Sequence, residues 1–215
     1  MTPQRPRTAS SRHARGASRP LRKGTGLRII AGTLKGRRLA VPDWTGLRPT
    51  SDRMRETLFN VLGPAVAGAR VLDGFAGTGA LGIEALSRGA THVTFAERDR
   101  RALDLVAENL TRSGLTGGYT IVRADLDGRG GQVFAPVFDI ALLDPPYHMT
   151  PEPVIAALAD AVVPGGLLAI EHARRTPTPE RAATLGRTRR IEAGDSAWSF
   201  YRRDAAGDDG AGMDA

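Results

Sequence analysis

Short apolar runs alternate with longer amphipathic stretches through the middle of the chain. Such an alternation of strand and helix patterns predicts an α/β fold, with a mostly parallel sheet covered by helices on both faces. Strand patterns begin at Val71 and then cover 92–97, 119–123, 138–143 and 167–171, while helical patterns cover 79–88, 100–113 and 152–163. Residues 197–201, with Ile191 nearby, predict a terminal antiparallel hairpin.

A smaller unit precedes this alternation. Residues 28–30 and 39–41 predict two short strands around the turn-rich segment 32–36, so that together they form a hairpin. The tip of this hairpin carries three cations, namely Lys35, Arg37 and Arg38. Because clustered basic side chains suit phosphate contacts, the tip is a candidate surface for nucleic acid, and a solvated basic face is the alternative.

A predicted helix follows the hairpin. Three polar side chains are candidate caps for its first turn: Thr50, Ser51 and Asp52. Four apolar residues form its predicted buried face: Met54, Leu58, Val61 and Leu62. This spacing leaves Arg53 and Arg55 elsewhere on the helix surface, where we expect them, with the preceding Arg48, to contact phosphates.

The composition fits one folded domain. A chain of 215 residues can bury a substantial core, and no apolar run approaches the length of a membrane span. The sequence has no cysteine, which excludes disulfides and cysteine-bound zinc and is typical of a reducing compartment. Its four histidines are scattered without metal-ligand spacing, so no metal site is predicted.

The net charge of +7 is distributed unevenly. Residues 1–26 hold seven cations and no acid, which predicts a disordered basic tail. This tail would be an arm that binds RNA or an extension without a function of its own, and an organellar transit peptide is the alternative. Four aspartates mark 204–215 as a disordered acidic tail, and residues 27–203 carry +4. We therefore divide the part between the tails into a hairpin-helix unit, 27–62, and a main domain, 63–203.

A glycine-rich segment follows the first strand of the main pattern. Gly77, Gly79 and Gly82 match the G-x-G-x-x-G spacing of nucleotide-binding turns, a weak signal alone because any tight strand-to-helix turn favours glycine. Asp73 indicates which ligand such a glycine turn would bind. A carboxylate at this position repels a pyrophosphate and attracts the ammonium or sulfonium of S-adenosylmethionine. The predicted cofactor turn comprises Asp73, Gly74, Phe75, Ala76, Gly77 and Gly79.

Two further carboxylates follow the next strand patterns. Glu97 lies eighteen residues after Gly79, close to the spacing at which an acid binds the two hydroxyls of a ribose. Asp125 follows the pattern at 119–123, and we expect it to accept from the exocyclic amine of an adenine. A solvated carboxylate or a helix cap is the alternative for both, and Asp99 is the better candidate for a cap.

The tetrapeptide Asp144-Pro145-Pro146-Tyr147 stands directly after the strand pattern at 138–143. The prolines lack N–H groups and fix φ, so the strand ends in a stiff turn whose carbonyls are open to donors. A carboxylate, carbonyls and a flat ring suit a planar substrate bearing an amino group, with Tyr147 stacked on its face. We predict that these four residues are catalytic; a strand-ending turn with a buried tyrosine is the alternative.

Taken together, these residues resemble the class I S-adenosylmethionine-dependent methyltransferases, in which (D/N/S)-P-P-(Y/F/W) is the signature of enzymes that methylate exocyclic amines. Within that superfamily, four segments are similar to the RsmD family of 16S ribosomal RNA (guanine-N2)-methyltransferases: 28–32, 35–39, 47–60 and 73–89. The resemblance spans about residues 28–202. Residues 194–198 depart from the expected Gly-Asp-Thr-Ala-like pattern, and we expect this departure to leave the chemistry unaffected.

The resemblance implies a Rossmann-like, seven-stranded doubly wound sheet in the order 3-2-1-4-5-7-6, with strand 7 antiparallel. It also implies methyl transfer from S-adenosylmethionine to the N2 amine of a guanine in 16S rRNA, guanine 966 in the customary numbering. We expect a cytoplasmic monomer that acts on a small-subunit particle without metal or membrane. Six basic residues would contact the RNA: Lys35, Arg37, Arg38, Arg48, Arg53 and Arg55.

Three other functions are alternatives. A DNA adenine-N6 or cytosine-N4 methyltransferase shares the tetrapeptide, although segment 47–60 argues against it. A nicotinamide-dependent oxidoreductase shares only the glycine pattern. A non-catalytic RNA-binding assembly factor would keep the basic residues but would not need Asp73, Glu97 and Asp144 together.

Overall fold

The computed structural model describes residues 26–42, 44, 51–127, 134–135 and 137–205. Arg48, Thr50 and most of both predicted tails lie outside these residues. The described elements include eight strands: β1 (Arg70–Gly74), β2 (His92–Glu97), β3 (Tyr119–Arg123), β4 (Phe138–Leu143), β5 (Val162–Ala173), β6 (Arg181–Ala182), β7 (Leu185–Ala193) and β8 (Ser196–Arg203). They also include four α-helices: α1 (Asp52–Leu62), α2 (Ala80–Ser87), α3 (Arg100–Arg112) and α4 (Pro151–Leu158).

All eight strands form one sheet in the order β3-β2-β1-β4-β5-β8-β7-β6. β1 to β5 are parallel, while β8 is antiparallel to both of its neighbours. This confirms the predicted order, with β7 and β8 in the places of predicted strands 6 and 7. The predicted count of seven is wrong by one, because the two-residue β6 pairs with the outer edge of β7.

The two faces of the sheet pack against different helices. Side chains of α1, α2, α3 and the N-terminal hairpin pack on one face, and α4 packs on the other. β2, β3 and β4 have the predicted bounds, and α2 and α3 agree with the predicted helices to within one residue at each end. Asp99 caps α3 as predicted, since its Oδ1 accepts the Arg101 N–H at 2.9 Å. In the described part of the chain, no helix is long and apolar enough to cross a membrane.

The predicted helix at 152–163 is wrong at its carboxyl end. α4 ends at Leu158, and after a short 3-10 turn the chain enters β5 at Val162, which pairs with Phe138. Pro164 disfavours helical backbone for the residue before it, and the β-branched Val162 and Val163 favour an extended one. The Pro-Gly-Gly segment at 164–166 therefore lies inside a strand, where the register with β4 shifts.

The N-terminal hairpin forms with less strand than predicted. A single antiparallel bridge joins Arg28 to Arg38, in place of two short strands. The hairpin turn packs on the carboxyl end of α2, where the Thr33 N–H donates to the Ser87 carbonyl at 2.8 Å. A Cβ on Gly32 would come within 1.8 Å of that carbonyl oxygen, so only glycine allows this approach.

In helix α1 the predicted cap is confirmed, but the predicted exposure of Arg55 is wrong. The Ser51 hydroxyl caps the helix, but Arg55, predicted on its surface, is fully buried. Its Nη2 donates to the Arg28 carbonyl at 2.7 Å and pairs with Asp52 at 2.6 Å, and its Nη1 lies 3.9 Å from Glu84. Arg55 joins α1, α2 and the hairpin, and it is not exposed to an RNA phosphate as predicted.

Candidate active site

A cavity of about 750 Å³ opens where three parallel strands of the sheet end. Its walls include residues 75–78 after β1, 97–99 after β2 and 144–147 after β4. Since these strands are adjacent and parallel, their carboxyl ends meet at one edge of the sheet, which is where open α/β sheets bind ligands. The predicted cofactor turn and the predicted catalytic tetrapeptide therefore border the same space.

Asp73 lies at the floor of this cavity and is almost fully buried. Its Oδ2 accepts the Gly82 N–H in the first turn of α2 at 2.8 Å. Burial is the main cause that raises the pKa of Asp73 well above its ordinary value, and the nearby charges of Asp144 and Glu97 raise it further. A cation in the cavity would therefore offset an unfavourable cluster of negative charge.

Glu97 ties the glycine turn to the end of β2. Its Oε2 accepts the Gly77 N–H at 3.2 Å, and its Oε1 accepts the N–H groups of Arg98 and Asp99 at 2.8 and 2.9 Å. These contacts fix the carboxylate at the cavity wall. Because an ionised carboxylate has about four acceptor positions, one remains for a ligand hydroxyl.

The turn between β1 and α2 has unusual backbone angles. Gly77 and Gly79 have φ angles of 54° and 75°, which glycine adopts without the steric cost that a side chain adds. Phe75 has a φ of 60° despite its side chain, and such strained residues concentrate at ligand sites. Phe75, Ala76 and Gly77 line the cavity, whereas Gly74 and Gly79 shape the turn without lining it.

The tetrapeptide forms a turn directly beyond β4. The Asp144 N–H donates to the Gly74 carbonyl at 3.3 Å, which holds the turn beside β1. The Pro146 carbonyl accepts the Met149 N–H at 2.9 Å. Within the described residues no hydrogen bond to the Pro145 carbonyl is formed, so this oxygen can accept from a ligand.

The Tyr147 hydroxyl is held by two strands on the far side of the cavity. It donates to Glu171 Oε1 at 3.1 Å and is in close hydrogen-bonding contact with Ser196 Oγ. Tyr147 as a whole is 45% exposed, so an aromatic ligand can stack on its ring. Burial is the main cause that raises the pKa of Tyr147, which keeps the hydroxyl protonated at neutral pH.

Sequence reasoning missed several residues of this site. Glu171 ends a predicted strand and Ser196 lies in the segment whose departure from the family pattern we expected to be unimportant, yet both contact Tyr147. Trp44 and Arg101 form another wall, with the guanidinium 5.3 Å from the indole centre. The deviating segment is thus part of the site, although serine keeps the hydroxyl that a threonine would provide.

Asp125 and the three basic residues of the hairpin, all predicted site residues, lie away from the cavity. Asp125 is exposed, pairs with Arg98 at 3.7 Å and does not line the wall, so its predicted contact with an adenine amine has no support in this geometry. Lys35, at the hairpin tip, is exposed near the carboxyl end of α2, whose opposite end lines the cavity. Arg37 and Arg38 are exposed on the same hairpin, whereas Arg53 lines the cavity itself.

Comparisons with known proteins cover most of the chain. A family model described as Conserved hypothetical protein 95 matches residues 27–202. Ribosomal RNA small subunit methyltransferase D of Escherichia coli (strain K12) is 38% identical over 194 residues, which are 88% of this chain and 97% of that protein. The protein of the same name from Haemophilus influenzae is 41% identical over 166 residues, 74% of this chain and 86% of that protein.

A solved structure gives the same result for the fold. The Escherichia coli protein yhhF, described provisionally as a methyltransferase, is 39% identical and superposes with a TM-score of 0.72. The match covers 83% of this chain and 98% of that one. This superposition confirms the predicted Rossmann-like architecture.

Proposed function

This chain belongs to the RsmD family, whose model carries the description Conserved hypothetical protein 95, and from that membership we propose that it is a ribosomal RNA methyltransferase. The proposed reaction moves a methyl group from S-adenosylmethionine to the exocyclic N2 amine of a guanine in 16S rRNA, guanine 966 by family resemblance. One observation carries this proposal: Asp73 and Glu97, which suit the methyl donor, border the same cavity as Asp144-Pro145-Pro146-Tyr147, which suits an amine.

The carboxylates and the glycine turn of the cavity suit S-adenosylmethionine. Glu97 would accept one ribose hydroxyl, and the negative charge of Asp73 and its neighbours would favour the ammonium and sulfonium groups. The turn at 74–79 would pass close to the ligand, with Phe75, Ala76 and Gly77 along the wall. When bound, S-adenosylmethionine supplies an electrophilic methyl group. A dinucleotide fits less well, because the same carboxylates repel its pyrophosphate.

Asp144 and the Pro145 carbonyl would hold the acceptor amine. The lone pair of a guanine N2 amine is delocalised into the ring, which makes the free amine a poor nucleophile. Two acceptors at fixed positions orient its N–H bonds and reduce that delocalisation. Orientation in a confined site then supplies most of the acceleration, and the departing proton goes to Asp144 or to water.

Tyr147 would hold the base once it has left its stack in the RNA. Base-aromatic stacking contributes roughly 1–3 kcal/mol in other nucleic-acid complexes. The hydroxyl contacts with Glu171 and Ser196 fix the ring before the base arrives. A base must be extruded to reach such a pocket, and enzymes that modify bases accept this unstacking.

The substrate assignment draws on the named relatives, which are ribosomal RNA small subunit methyltransferases. We propose that the chain acts as a cytoplasmic monomer on a small-subunit particle and needs no metal. The exposed Lys35, Arg37 and Arg38 would contact RNA away from the cavity, and Arg53 would do so at its mouth. Arg48 belongs to the same proposal from the sequence alone.

The proposal is tested by single-turnover methyl transfer from labelled S-adenosylmethionine to 16S rRNA, free or in small subunits. We expect Asp144→Ala to abolish transfer while S-adenosylmethionine affinity, measured by calorimetry, stays within a few fold. Asp139→Ala is the matched control, because Asp139 lies at the opposite end of β4 and pairs with Arg70. A near-normal single-turnover rate for Asp144→Ala would remove Asp144 from the mechanism.

The same assay separates the other functions. Transfer to DNA adenine or cytosine in place of rRNA would identify a DNA amine methyltransferase. Binding of NADH without binding of S-adenosylmethionine would indicate an oxidoreductase. Tight RNA binding with no methyl transfer to any nucleic acid would leave a non-catalytic assembly factor.

A further inference from the structure

The basic charge of the folded chain is concentrated in two segments. Residues 174–203 contain eight arginines and three acids, a net charge of +5, and residues 27–62 carry +4. The intervening residues 63–173, which supply most of the cavity, carry −5. A polyanion is therefore attracted to the flanking segments and repelled by the central one.

The two basic segments adjoin each other on one face of the sheet. Trp198 of β8 is fully buried and donates its Nε1 hydrogen to the Met54 carbonyl of α1 at 3.2 Å. Arg189 of β7 is paired with Phe200, whose side chain packs in the same core cluster as Trp198 and α1. Directly paired residues share a face, so Arg189 emerges on the side of the sheet that α1 covers.

This basic region borders the Tyr147 side of the cavity. The Arg174 N–H donates to the Asp195 carbonyl at 2.8 Å, and Asp195 lies in the turn that also presents Ser196 to Tyr147. Arg53 lines the cavity directly. Asp73 and Glu97 lie instead at the ends of β1 and β2, across β4 and β5 from this turn.

Four arginines here are exposed and not neutralised by the protein: Arg53, Arg174, Arg175 and Arg189. Within the described residues none of them pairs with a carboxylate. In contrast, Arg181, Arg187, Arg190 and Arg203 of the same region are bound to Asp204, Glu180, Glu192 and Asp160. Arginines without an internal partner keep their full charge for an external phosphate.

Building on the proposed function, we infer that Arg53, Arg174, Arg175 and Arg189 form a phosphate-binding surface, here named the arginine surface, for the RNA strand that delivers the target guanine. The end of this surface formed by Arg53 and Arg174 lies on the Tyr147 side of the cavity, so phosphates bound along it lead the nucleotide toward the stacking position. The arginine surface is separate from the hairpin tip, which packs on the far end of α2.

The test is the salt dependence of 16S rRNA binding for the triple variant Arg174→Ala, Arg175→Ala, Arg189→Ala. Arg53 is left intact because it lines the cavity. Each phosphate that the protein no longer binds lowers the slope of log affinity against log salt by roughly 0.7 on single strands and 0.9 on duplex. We expect the slope to fall by about 2, with affinity at low salt at least tenfold weaker.

A charge-matched control removes three arginines that are paired within the protein: Arg70→Ala, Arg112→Ala, Arg181→Ala. We expect this control to keep most of the wild-type slope. An unchanged slope in the first triple variant, or an equal fall in both variants, would overturn the inference. Either result leaves the proposed reaction intact as long as the wild-type protein still methylates the RNA, whereas absence of wild-type transfer would count against the proposed function instead.

Discussion

The buried carboxyl of Asp73 lowers the stability of the cofactor-free protein when it is ionised, and the same charge would favour a cationic ligand. Because burial and the neighbouring carboxylates raise the pKa of Asp73, its contribution to stability is complete below the ordinary aspartate pKa and is lost as the pH rises through the raised value. As the pH rises through that value, the cofactor-free protein acquires an unfavourable buried charge. An electrostatic conflict of this kind is typical of functional sites.

Replacement of Asp73 by asparagine should reveal this conflict. Asp73→Asn keeps an acceptor for the Gly82 N–H and removes the charge. We expect the melting temperature of the cofactor-free variant to exceed that of the wild type by roughly 2–4 °C at pH 8, equivalent to about 1 kcal/mol, and by less at pH 5. Calorimetry should show weaker S-adenosylmethionine binding. A variant that melts below the wild type at pH 8 would contradict this explanation.

The Tyr147 hydroxyl and Glu171 should act as one unit. Removing either partner, by Tyr147→Phe or Glu171→Ala, should lower kcat/KM for RNA by roughly 3–10-fold, the value of a hydrogen bond of about 0.5–1.5 kcal/mol. The double variant should lose little more than Tyr147→Phe alone, because that change already removes the hydrogen bond to Glu171. Glu171→Gln, which keeps an acceptor oxygen, should restore most of the activity, and S-adenosylmethionine affinity should not change. Additive losses would show that the two side chains act independently.

At the scale of elements, Arg55 holds α1, α2 and the hairpin together, and its neighbour Arg53 provides a matched control. Arg55→Met would leave the buried Glu84 with one fewer cation, although Arg88 and two backbone N–H groups remain. We expect the free energy of unfolding to fall by about 3 kcal/mol, near the lower end for a broken buried pair. Arg53→Met should change it by less than about 0.5 kcal/mol, because Arg53 is exposed. Urea denaturation of both variants makes the comparison, and equal effects would argue against this role.

The burial of Arg55 could have been predicted from the sequence. Positions 55, 58, 59 and 62 have the spacing of one helix face, and all four are buried in the structure. The prediction placed Arg55 outside because it assigned the buried face to Met54, Leu58, Val61 and Leu62, of which Val61 is only partly buried. Asp52, one turn earlier in α1, is a local partner of Arg55, but Glu84 lies on another helix and the Arg28 carbonyl on the hairpin, so the local pattern could not identify these two.

In the candidate site, too, residues at the ends of clear strand patterns could be predicted, whereas residues brought in by pairing of distant segments could not. Asp73, Glu97 and Asp144 could be placed at one edge because each directly ends, or follows, a strand with a clear apolar pattern. Glu171 and Ser196 could not, since they reach Tyr147 through the antiparallel pairing of β5 with β8. The end of α4 was misplaced because its helical pattern continues into the β-branched residues that begin β5.

At the scale of the whole molecule, residues 1–26 should contribute affinity without affecting chemistry. Their seven cations can contact phosphates, but they lie outside the sequence segments that carry the site. Deleting them should flatten the salt dependence of RNA binding, by roughly 0.9 in slope for each duplex phosphate that these cations bind, and should weaken binding at low salt. Turnover at saturating RNA should stay nearly unchanged. An unaltered slope would identify the segment as a targeting leader or a plain extension.

The central claim is that one cavity brings a methyl donor to the N2 amine of a guanine in 16S rRNA. Its most direct test is mass spectrometry of the RNA after incubation with the protein and S-adenosylmethionine, with nucleoside identity and position both determined. We predict one methyl group on the N2 amine of a single guanine, at position 966, and none with Asp144→Ala. A methyl group on a ring nitrogen, a ribose hydroxyl or another base, or an equal yield from Asp144→Ala, would contradict the account.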